Sequence, residues 1–392
     1  MTSDTVVLVA AKRTPIGAFQ GVLSGAEAPQ LGAAAIQGAI AASGVDASDV
    51  DRVIMGCVLP AGLGQAPARQ AALGGGLPEG VPCSTVNKMC GSGMEAIIIG
   101  HDMIKAGSAA VVVAGGLESM TNAPYLLPKA RGGMRMGHQQ TLDHMFTDGL
   151  QDPYSGEMMG HFAQVTADKY EFSRDDMDAF ATESATRAKR AVADGAFTDE
   201  IAPVTISSRR GDVTVEEDET PGAVSIDKIT KLRPAFRKDG TVTAATSSSI
   251  SDGAAAVVMM SGSEAEKRGL KPIAKIVGHS AFAHEPAWFT TAPVYALKKL
   301  LDAKGWTADD VDLFEINEAF AVVTMAAMKD VGIEHDKVNV NGGACALGHP
   351  IGATGCRISV TLLHAMQSRG LKRGIATQCI GGGEATAVAY EI

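Results

Sequence analysis

A thiol in a glycine-rich turn is the first chemically suggestive feature of this chain. In VNKMCGSGMEAIIIG, residues 86–100, Cys90 precedes Gly-Ser-Gly and then an apolar run. If that run is a helix, Cys90 lies near the positive end of the helix dipole, beside backbone N–H groups that can face a ligand. This position predicts a lowered thiol pKa and donors for an oxyanion. The alternative is a buried structural cysteine, the commoner role of this residue.

Two further candidates lie in glycine-rich turns near the end of the chain. His349 precedes Pro350 in NVNGGACALGHPIGATG, and Cys379 precedes three glycines in TQCIGGGEA. A lone histidine is more often structural, but one confined by glycine and proline has few large neighbours to pack on, which favours chemistry. Cys90, His349 and Cys379 can converge if the segments that carry them pack as repeats about one interface.

Composition excludes several classes of protein. The 392 residues are 46% apolar and 20% charged with a formal net charge of -10, which does not fit a disordered chain or a nucleic-acid binder. The start, MTSDTVVLVAAKRTPIG, has no signal-peptide pattern, and no run is long enough to span a membrane, so we predict a cytoplasmic protein. The six cysteines form no CxxC motif, so we predict neither a disulfide framework nor a metal site.

The elements that must position these residues follow an α/β pattern. Short β-branched runs alternate with alanine-rich helical stretches, as in VVLVA at 6–10, VDRVIMG at 50–56 and AAVVVAGG at 109–116. Strands this apolar are typical of a mostly parallel or mixed sheet covered by helices on both faces. The length also exceeds what one core usually organises, which predicts two or more packed units.

The chain also contains an internal duplication. DASDVDRVIMG, starting at Asp46, resembles TADDVDLFEIN, starting at Thr307, with an offset of 307 − 46 = 261 residues. The same offset carries Cys90 to Ile351 in a second glycine-rich turn that opens a helix. Both segments then return through an apolar run into glycines, and three landmarks in the same order favour duplication over chance.

A segment of different texture separates the two repeats. From about Ser119 to Ser249 the chain is rich in methionine and glycine and then in charged helical residues, which predicts an insertion. Methionine clusters fit either core packing or an adaptable surface around a flexible apolar ligand. The acidic run EEDE at 216–219 is interpreted as a solvated hairpin face without a chemical role.

Eight segments in order resemble the thiolase family, the CoA-dependent Claisen condensation and cleavage enzymes, and most closely its acetyl-CoA acetyltransferase branch. The segments are RTPIGAF at 13–19, GQAPARQAAL from residue 64, NKMCGSG at 87–93, GGLESM at 115–120, KLRPAF at 231–236, NEAF at 317–320, GGACALGHPIGATG at 342–355 and CIGGG at 379–383. The resemblance extends over essentially the whole chain.

The resemblance implies a thiolase fold of two pseudo-symmetric α/β halves, layered α-β-α-β-α, with an inserted loop domain. The N-terminal half would cover residues 1–118 and be completed by 250–271 through a returning strand, the loop domain would cover 119–249, and the C-terminal half 272–392. It also implies a homodimer or homotetramer and a role in fatty acid metabolism.

The resemblance further implies a mechanism. Cys90 would accept an acyl group, His349 would take its proton, and Cys379 would move the α-proton of a second acetyl-CoA. Asn317 would hold a water at the enolate oxygen, and the N–H groups of Cys90 and Gly381 would hold the tetrahedral intermediate. Coenzyme A would be substrate and product, with no other cofactor.

Substrate contacts follow from the same comparison. We predict a pantetheine contact at Ser248 and a short acyl pocket closed by Trp288 and Phe289. The other predicted pocket residues are Met158, Met159, Phe236, Ala319 and Phe320. Many thiolases have His-Met-Gly where this chain has EMMG at 157–160, and the stretch 219–225 lacks the basic residue that relatives use near the CoA nucleotide.

Four alternatives remain. A degradative 3-ketoacyl-CoA thiolase would accept longer chains. A decarboxylating ketoacyl synthase shares the architecture but normally uses two catalytic histidines, which the presence of Cys379 disfavours. A noncatalytic CoA- or lipid-binding relative would lack Cys90 or His349. A cysteine hydrolase is supported only by the cysteine and histidine themselves.

Overall fold

The computed structural model describes residues 4–207, 209 and 211–392. Residues 1–3, at the start of the stretch where we predict no signal peptide, lie outside the described residues, as do 208 and 210 of the insertion. The strands are β1 (Val6–Arg13), β2 (Gly17–Ala18), β3 (Arg52–Gly56), β4 (Cys83–Val86), β5 (Val111–Ser119), β6 (Tyr125–Leu126), β7 (Leu142–Asp143), β8 (Val204–Ile206), β9 (Val213–Val215), β10 (Ser251–Ser261), β11 (Ala274–Ala283), β12 (Leu313–Ile316), β13 (Arg373–Ile380) and β14 (Glu384–Glu391). The helices are α1 (Ala28–Ser43), α2 (Pro67–Gly74), α3 (Ser92–Lys105), α4 (Met159–Tyr170), α5 (Arg174–Ala193), α6 (Glu219–Ala223), α7 (Gly262–Lys267), α8 (Ala292–Lys304), α9 (Ala321–Val331), α10 (Ala344–Leu347) and α11 (Thr354–Arg369).

The main sheet is built from two matching groups of strands. The first runs β4-β3-β5-β10-β1 and the second β12-β13-β14-β11. In the first group β4, β3 and β5 are parallel, in the second β12 and β13 are parallel, and in each group two antiparallel pairings follow. The 3-10 turns Ala47–Asp49 and Ala308–Asp310 keep the predicted offset, since 308 − 47 = 261. The prediction of a mixed α/β fold with two similar halves is confirmed.

The layers follow from the alternation of side chains along the strands. On β1, Val7 and Val9 pack into a cluster with α1 and α2, whereas Val6 and Leu8 pack into a second cluster with α3 and α11. A third cluster joins the strands of the second group to α8 and α9. The halves therefore share α3 and α11 as a central helical layer between the two groups of strands, with α1 and α2 on one outer face and α8 and α9 on the other.

The segment between β5 and β10 carries α4, α5 and two short hairpins, β6 with β7 and β8 with β9. The helix α5 begins at a capping box in which Ser173 and Asp176 satisfy each other's backbone N–H groups. After this segment β10 lies between β1 and β5 in the sheet. The boundaries at 118, 249 and 271 stay predictions. Among the described residues, no helix has both the length and the apolar composition needed to span a membrane.

The acidic run 216–219 is not a solvated face throughout, and that prediction was wrong. Glu216 and Glu217 are exposed, but Asp218 is 5% exposed and accepts two hydrogen bonds from Arg13, at 2.7 and 2.8 Å. Arg13 is fully buried, and its Nε also donates to Glu200. A buried guanidinium requires paired carboxylates, so Asp218 anchors the insertion to β1.

Candidate active site

The turn that carries Cys90 lies between β4 and α3 and has a strained backbone. Met89 adopts φ 48°, which is uncommon for a residue other than glycine. Asn87 Oδ1 accepts the Met89 N–H at 2.9 Å, and Ser92 Oγ accepts the Lys88 N–H at 2.8 Å while donating to the Met89 carbonyl at 2.6 Å. These side chains hold the turn that presents Cys90 at the N-terminal end of α3.

The pKa of Cys90 differs from the sequence prediction. Burial raises the pKa of the Cys90 thiol to about 11, although hydrogen bonds from the backbone N–H groups of Gly381 and of Cys90 itself lower it. The predicted lowering of the pKa was therefore wrong, because desolvation outweighs the helix end and the two donors. The predicted donors are nevertheless present at Sγ.

Two glycines bring the turns of the two halves together. A Cβ on Gly93 would lie 2.9 Å from the Cys356 nitrogen, and one on Gly355 would lie 2.5 Å from the Met94 nitrogen. These approaches are closer than side chains permit, so α3 and α11 can touch at their first turns only because both positions are glycine. The contact places the Cys90 turn beside the turn that carries His349.

The hydrogen bonds of His349 define its tautomer. Nδ1 lies 2.7 Å from Thr354 Oγ1, and that hydroxyl donates its single proton to the Pro350 carbonyl at 2.9 Å. Thr354 must therefore accept from Nδ1–H, which leaves Nε2 with a free lone pair. Within the described part of the chain, buried Nε2 has no hydrogen-bond partner. Burial lowers the pKa of His349 to about 3, helped by the charge of Arg357, so the ring is neutral.

The hairpin of β13 and β14 supplies the second cysteine. Cys379 is 1% exposed near the end of β13, and Gly381 follows in the turn. Burial raises the pKa of Cys379 well above the ordinary range for a thiol, and the nearby Cys90 raises it further. Lys88 and Glu384 form an ion pair at 2.5 Å that joins the Cys90 turn to this hairpin.

Asn317 follows β12 directly. Its backbone N–H donates to the Thr377 carbonyl at 3.0 Å, which ties it to β13. Its side-chain amide is buried, and neither Oδ1 nor Nδ2 has a hydrogen-bond partner among the described residues. Buried amides are rarely left unpaired, so this group fits a position that polarises a water or a ligand.

An apolar cavity of about 240 Å³ joins these groups. All of the predicted site and pocket residues except Asn317 and Trp288 line it: Cys90, His349, Cys379, Gly381, Ser248, Met158, Met159, Phe236, Phe289, Ala319 and Phe320. The Ser248 hydroxyl donates its proton to the Ala319 carbonyl at 3.0 Å, so its oxygen can act toward a ligand only as an acceptor. Trp288 is not part of the lining, since its ring packs under the Lys169 ammonium at 4.0 Å. The prediction that Trp288 closes the pocket was wrong.

A second cavity of about 370 Å³ adjoins the first through the shared residues Ser247 and Ser249. Lys228 and Ser225 lie in its lining beside apolar residues. The stretch 219–225 contains no basic residue, but Lys228 lies three residues further on, in the turn Ile226–Lys231.

Two buried residues were missed although both stand in quoted motifs. Glu118 of GGLESM accepts the N–H groups of Val58, Leu59 and Gly352 at 2.8 to 3.1 Å, which clamps the turn after His349 to β5. Burial raises the pKa of Glu118 to about 7. Thr354 of GHPIGATG orients His349 as described. A polar residue inside an otherwise apolar or glycine-rich motif is the signal that could have found both.

Two family models and several known proteins match the chain nearly from end to end. The model of the thiolase N-terminal domain matches residues 6–263, and that of the thiolase C-terminal domain matches residues 270–392. An acetyl-CoA acetyltransferase of Pseudomonas aeruginosa is 49% identical over 385 residues, covering 98% of each chain. One of Chromobacterium violaceum is 50% identical over 388 residues, covering 98% of this chain and 99% of the relative.

The fold is also similar to that of a solved structure. The crystal structure of the Bacillus anthracis acetyl-CoA acetyltransferase superposes with a TM-score of 0.97 at 41% identity, covering 99% of both chains. The family models together span nearly the whole sequence, and the relatives match it from end to end. The chain therefore belongs to the thiolase family.

Proposed function

We propose that the protein is an acetyl-CoA C-acetyltransferase, which condenses two acetyl-CoA molecules reversibly to acetoacetyl-CoA and CoA. The observation that carries the proposal is the convergence of two thiols, an unprotonated imidazole nitrogen and two backbone donors on one apolar cavity. These groups supply a nucleophile, an acid, a base and an oxyanion site, so CoA enters only as substrate and product.

Acylation begins with Cys90 and His349. As Sγ attacks the thioester carbonyl, its proton passes to Nε2 of His349, which the Thr354 contact keeps free. The oxyanion of the tetrahedral intermediate accepts hydrogen bonds from the N–H groups of Cys90 and Gly381. The carbon–sulfur bond to CoA then breaks. The raised pKa of Cys379 keeps this residue protonated as a thiol, and it gives that proton to the departing CoA sulfur.

Condensation uses the thiolate that this step leaves on Cys379. That thiolate removes the α-proton of the second acetyl-CoA, and the enolate oxygen is stabilised by protonated His349 and by a water held at the Asn317 amide. The enolate carbon attacks the acetyl group, the bond to Cys90 breaks, and Cys90 recovers its proton from His349. Each side chain ends in its starting protonation state.

Incubation of the purified protein with acetyl-CoA tests the proposal directly. We expect acetoacetyl-CoA and free CoA in equal amounts, and thiolysis of acetoacetyl-CoA when CoA is in excess. Release of CoA without acetoacetyl-CoA would instead identify a hydrolase. Binding of CoA without any turnover would identify a noncatalytic relative.

Chain length is expected to be limited by the ring of Phe289. This ring is 3% exposed, lines the cavity and packs edge-on against Phe162 at 6.3 Å between centroids. We expect kcat/KM for acetoacetyl-CoA to exceed that for a C8 3-ketoacyl-CoA by at least about 100-fold, because extra methylenes have no space. Phe289→Leu should reduce this ratio, whereas Phe162→Leu, outside the lining, should change it less. Equal efficiency on both substrates in the unaltered protein would contradict a short pocket.

Thr354 is expected to act by orienting His349. Thr354→Val keeps the shape of the side chain but removes the acceptor for Nδ1–H, so the Nε2 lone pair is no longer held in place. The loss of one buried hydrogen bond predicts a fall of roughly 10- to 100-fold in kcat for thiolysis, with little change in KM. Thr354→Ser retains the hydroxyl and should recover most of the rate. Equal rates in both variants would exclude the orienting role.

We also propose a homodimer or homotetramer. The strand β4 forms an open edge of the main sheet with Ser84 and Thr85 exposed, and such an edge can pair with a second copy. Around β6, Tyr125, Leu127 and Met136 are exposed apolar side chains that favour a further contact.

Six unpaired cysteines fit the reducing cytoplasm, where we place the protein, and acetyl transfer fits a role in fatty acid metabolism.

A further inference from the structure

Two histidines and an aspartate from opposite halves of the chain meet outside the lining of the catalytic cavity. His101 and Asp102 lie in the last turns of α3, and His279 lies in the middle of β11. His101 Nδ1 is 2.8 Å and His279 Nε2 is 3.1 Å from the same oxygen of Asp102. The two imidazole rings are 5.1 Å apart between centroids and nearly perpendicular, at 81°. One carboxylate therefore lies between two ring nitrogens.

This spacing matches the needs of a small transition-metal ion. One ligand atom from each residue lies within 4.8 Å of the others. In a tetrahedral zinc site with bonds of about 2.0–2.1 Å, neighbouring ligand atoms are separated by roughly 3.4 Å. Small side-chain rotations are therefore enough to close all three around one ion. Two imidazoles and one carboxylate are also a ligand set that zinc accepts in proteins, with a fourth position left to water.

The surroundings permit a cation to enter. The Asp102 side chain is 59% exposed, so the carboxylate side of the cluster is open to solvent. Three lysines line the adjoining groove, but each is held by a partner. Lys105 donates to the Asp4 carbonyl and Lys304 to the Val277 carbonyl, while Lys275 pairs with Glu391 at 2.8 Å. Their ammonium groups are thus directed to other oxygens, and Asp102 partly offsets their charge.

We propose that His101, Asp102 and His279 form a binding site for a divalent first-row transition ion of the zinc class. The bound ion joins α3 to β11, and so connects the half that carries Cys90 with the half that carries His349. The ion coordinates through His101 Nδ1, His279 Nε2 and one Asp102 oxygen, and any histidine proton at these nitrogens is released on binding. The site is separate from the catalytic cavity and does not depend on the proposed function.

Zinc titration of the purified protein, followed by calorimetry and by thermal unfolding, tests the site. We expect one equivalent of Zn²⁺ to bind and the Tm to rise, because the ion binds the folded state through residues from both halves. Asp102→Asn and His279→Ala should each weaken binding at least about 10-fold and remove the rise in Tm. His138→Ala, which removes an exposed imidazole outside the cluster, should leave both unchanged.

The catalytic thiols are the competing zinc ligands and are tested separately. Cys90→Ser should retain the one-equivalent binding, and Co²⁺ bound to the unaltered protein should show no thiolate charge-transfer band. Zinc binding that survives His279→Ala, or that is lost in Cys90→Ser, would overturn the proposal. Absence of any binding at micromolar zinc in the folded, unaltered protein would overturn it as well.

Discussion

Replacement of Cys379 by serine is expected to abolish condensation while leaving acyl transfer to Cys90 intact. A serine hydroxyl has a pKa far above that of a thiol, whose free value is about 8.5, so it cannot act as the carbon base at neutral pH. CoA is a good leaving group without an acid, so acylation survives. We expect the rate of acetoacetyl-CoA formation to fall by roughly 100- to 10,000-fold, the usual contribution of a general base.

Labelled acetyl-CoA separates the two steps. The Cys379→Ser variant should retain label on the peptide that contains Cys90 and exchange it with free CoA, yet form almost no acetoacetyl-CoA. Cys356→Ser is the matched control, since Cys356 is a fully buried thiol outside the cavity lining and should behave as the unaltered protein. Condensation at the unaltered rate in Cys379→Ser, or failure of a folded variant to be acylated, would show that Cys379 is not the dedicated carbon base.

Replacement of Cys90 by serine is expected to remove both activities. Desolvation already raises the pKa of the Cys90 thiol to about 11, and a hydroxyl in its place would be harder still for His349 to deprotonate. The backbone donors of Gly381 and residue 90 remain, but they have no covalent intermediate to stabilise. We expect condensation and thiolysis to fall by at least about 10,000-fold, as for other nucleophiles that act with a paired base.

Mass spectrometry locates the acyl group. In the unaltered protein mixed with acetyl-CoA, the adduct should be on the peptide that contains Cys90, and in Cys90→Ser it should be absent. Near-ultraviolet circular dichroism of the variant checks that the fold is kept. An adduct found only on Cys379 would reverse the roles proposed for the two cysteines.

The fold could be predicted from the sequence because the internal duplication repeats the same pattern of residues at a constant offset. Two segments 261 residues apart become equivalent turns and strands, and apolar runs such as VVVAGG become buried strands of the sheet. This succeeds because strand and helix periodicity depend mainly on which side chains must be buried, and burial is visible as a local pattern. The family resemblance then supplied the insertion between the halves, which local patterns alone only suggested.

The predictions that were wrong failed because they depended on contacts between residues distant in sequence. The charge of EEDE suggested a solvated face, but Asp218 pairs with Arg13, about two hundred residues earlier in the chain. Proximity in sequence suggested that Trp288 and Phe289 act together, but only Phe289 lines the cavity. The helix end suggested a lowered pKa for Cys90, but burial raises it. Each depends on atoms distant in sequence, which no local pattern records.

The class of chemistry could be predicted from the sequence alone, because a nucleophilic thiol, a histidine and a second thiol in glycine-rich turns are visible in it directly. The sequence also determined the duplicated fold that brings them together. The three-dimensional structure was needed to establish which nitrogen of His349 is free, because that depends on the acceptor to which Thr354 donates its single proton. It alone decided the protonation of the two thiols, because desolvation is a property of the packed site. The cluster of His101, Asp102 and His279 is likewise visible only in three dimensions, because α3 and β11 meet through packing between the halves and not through their order in the chain.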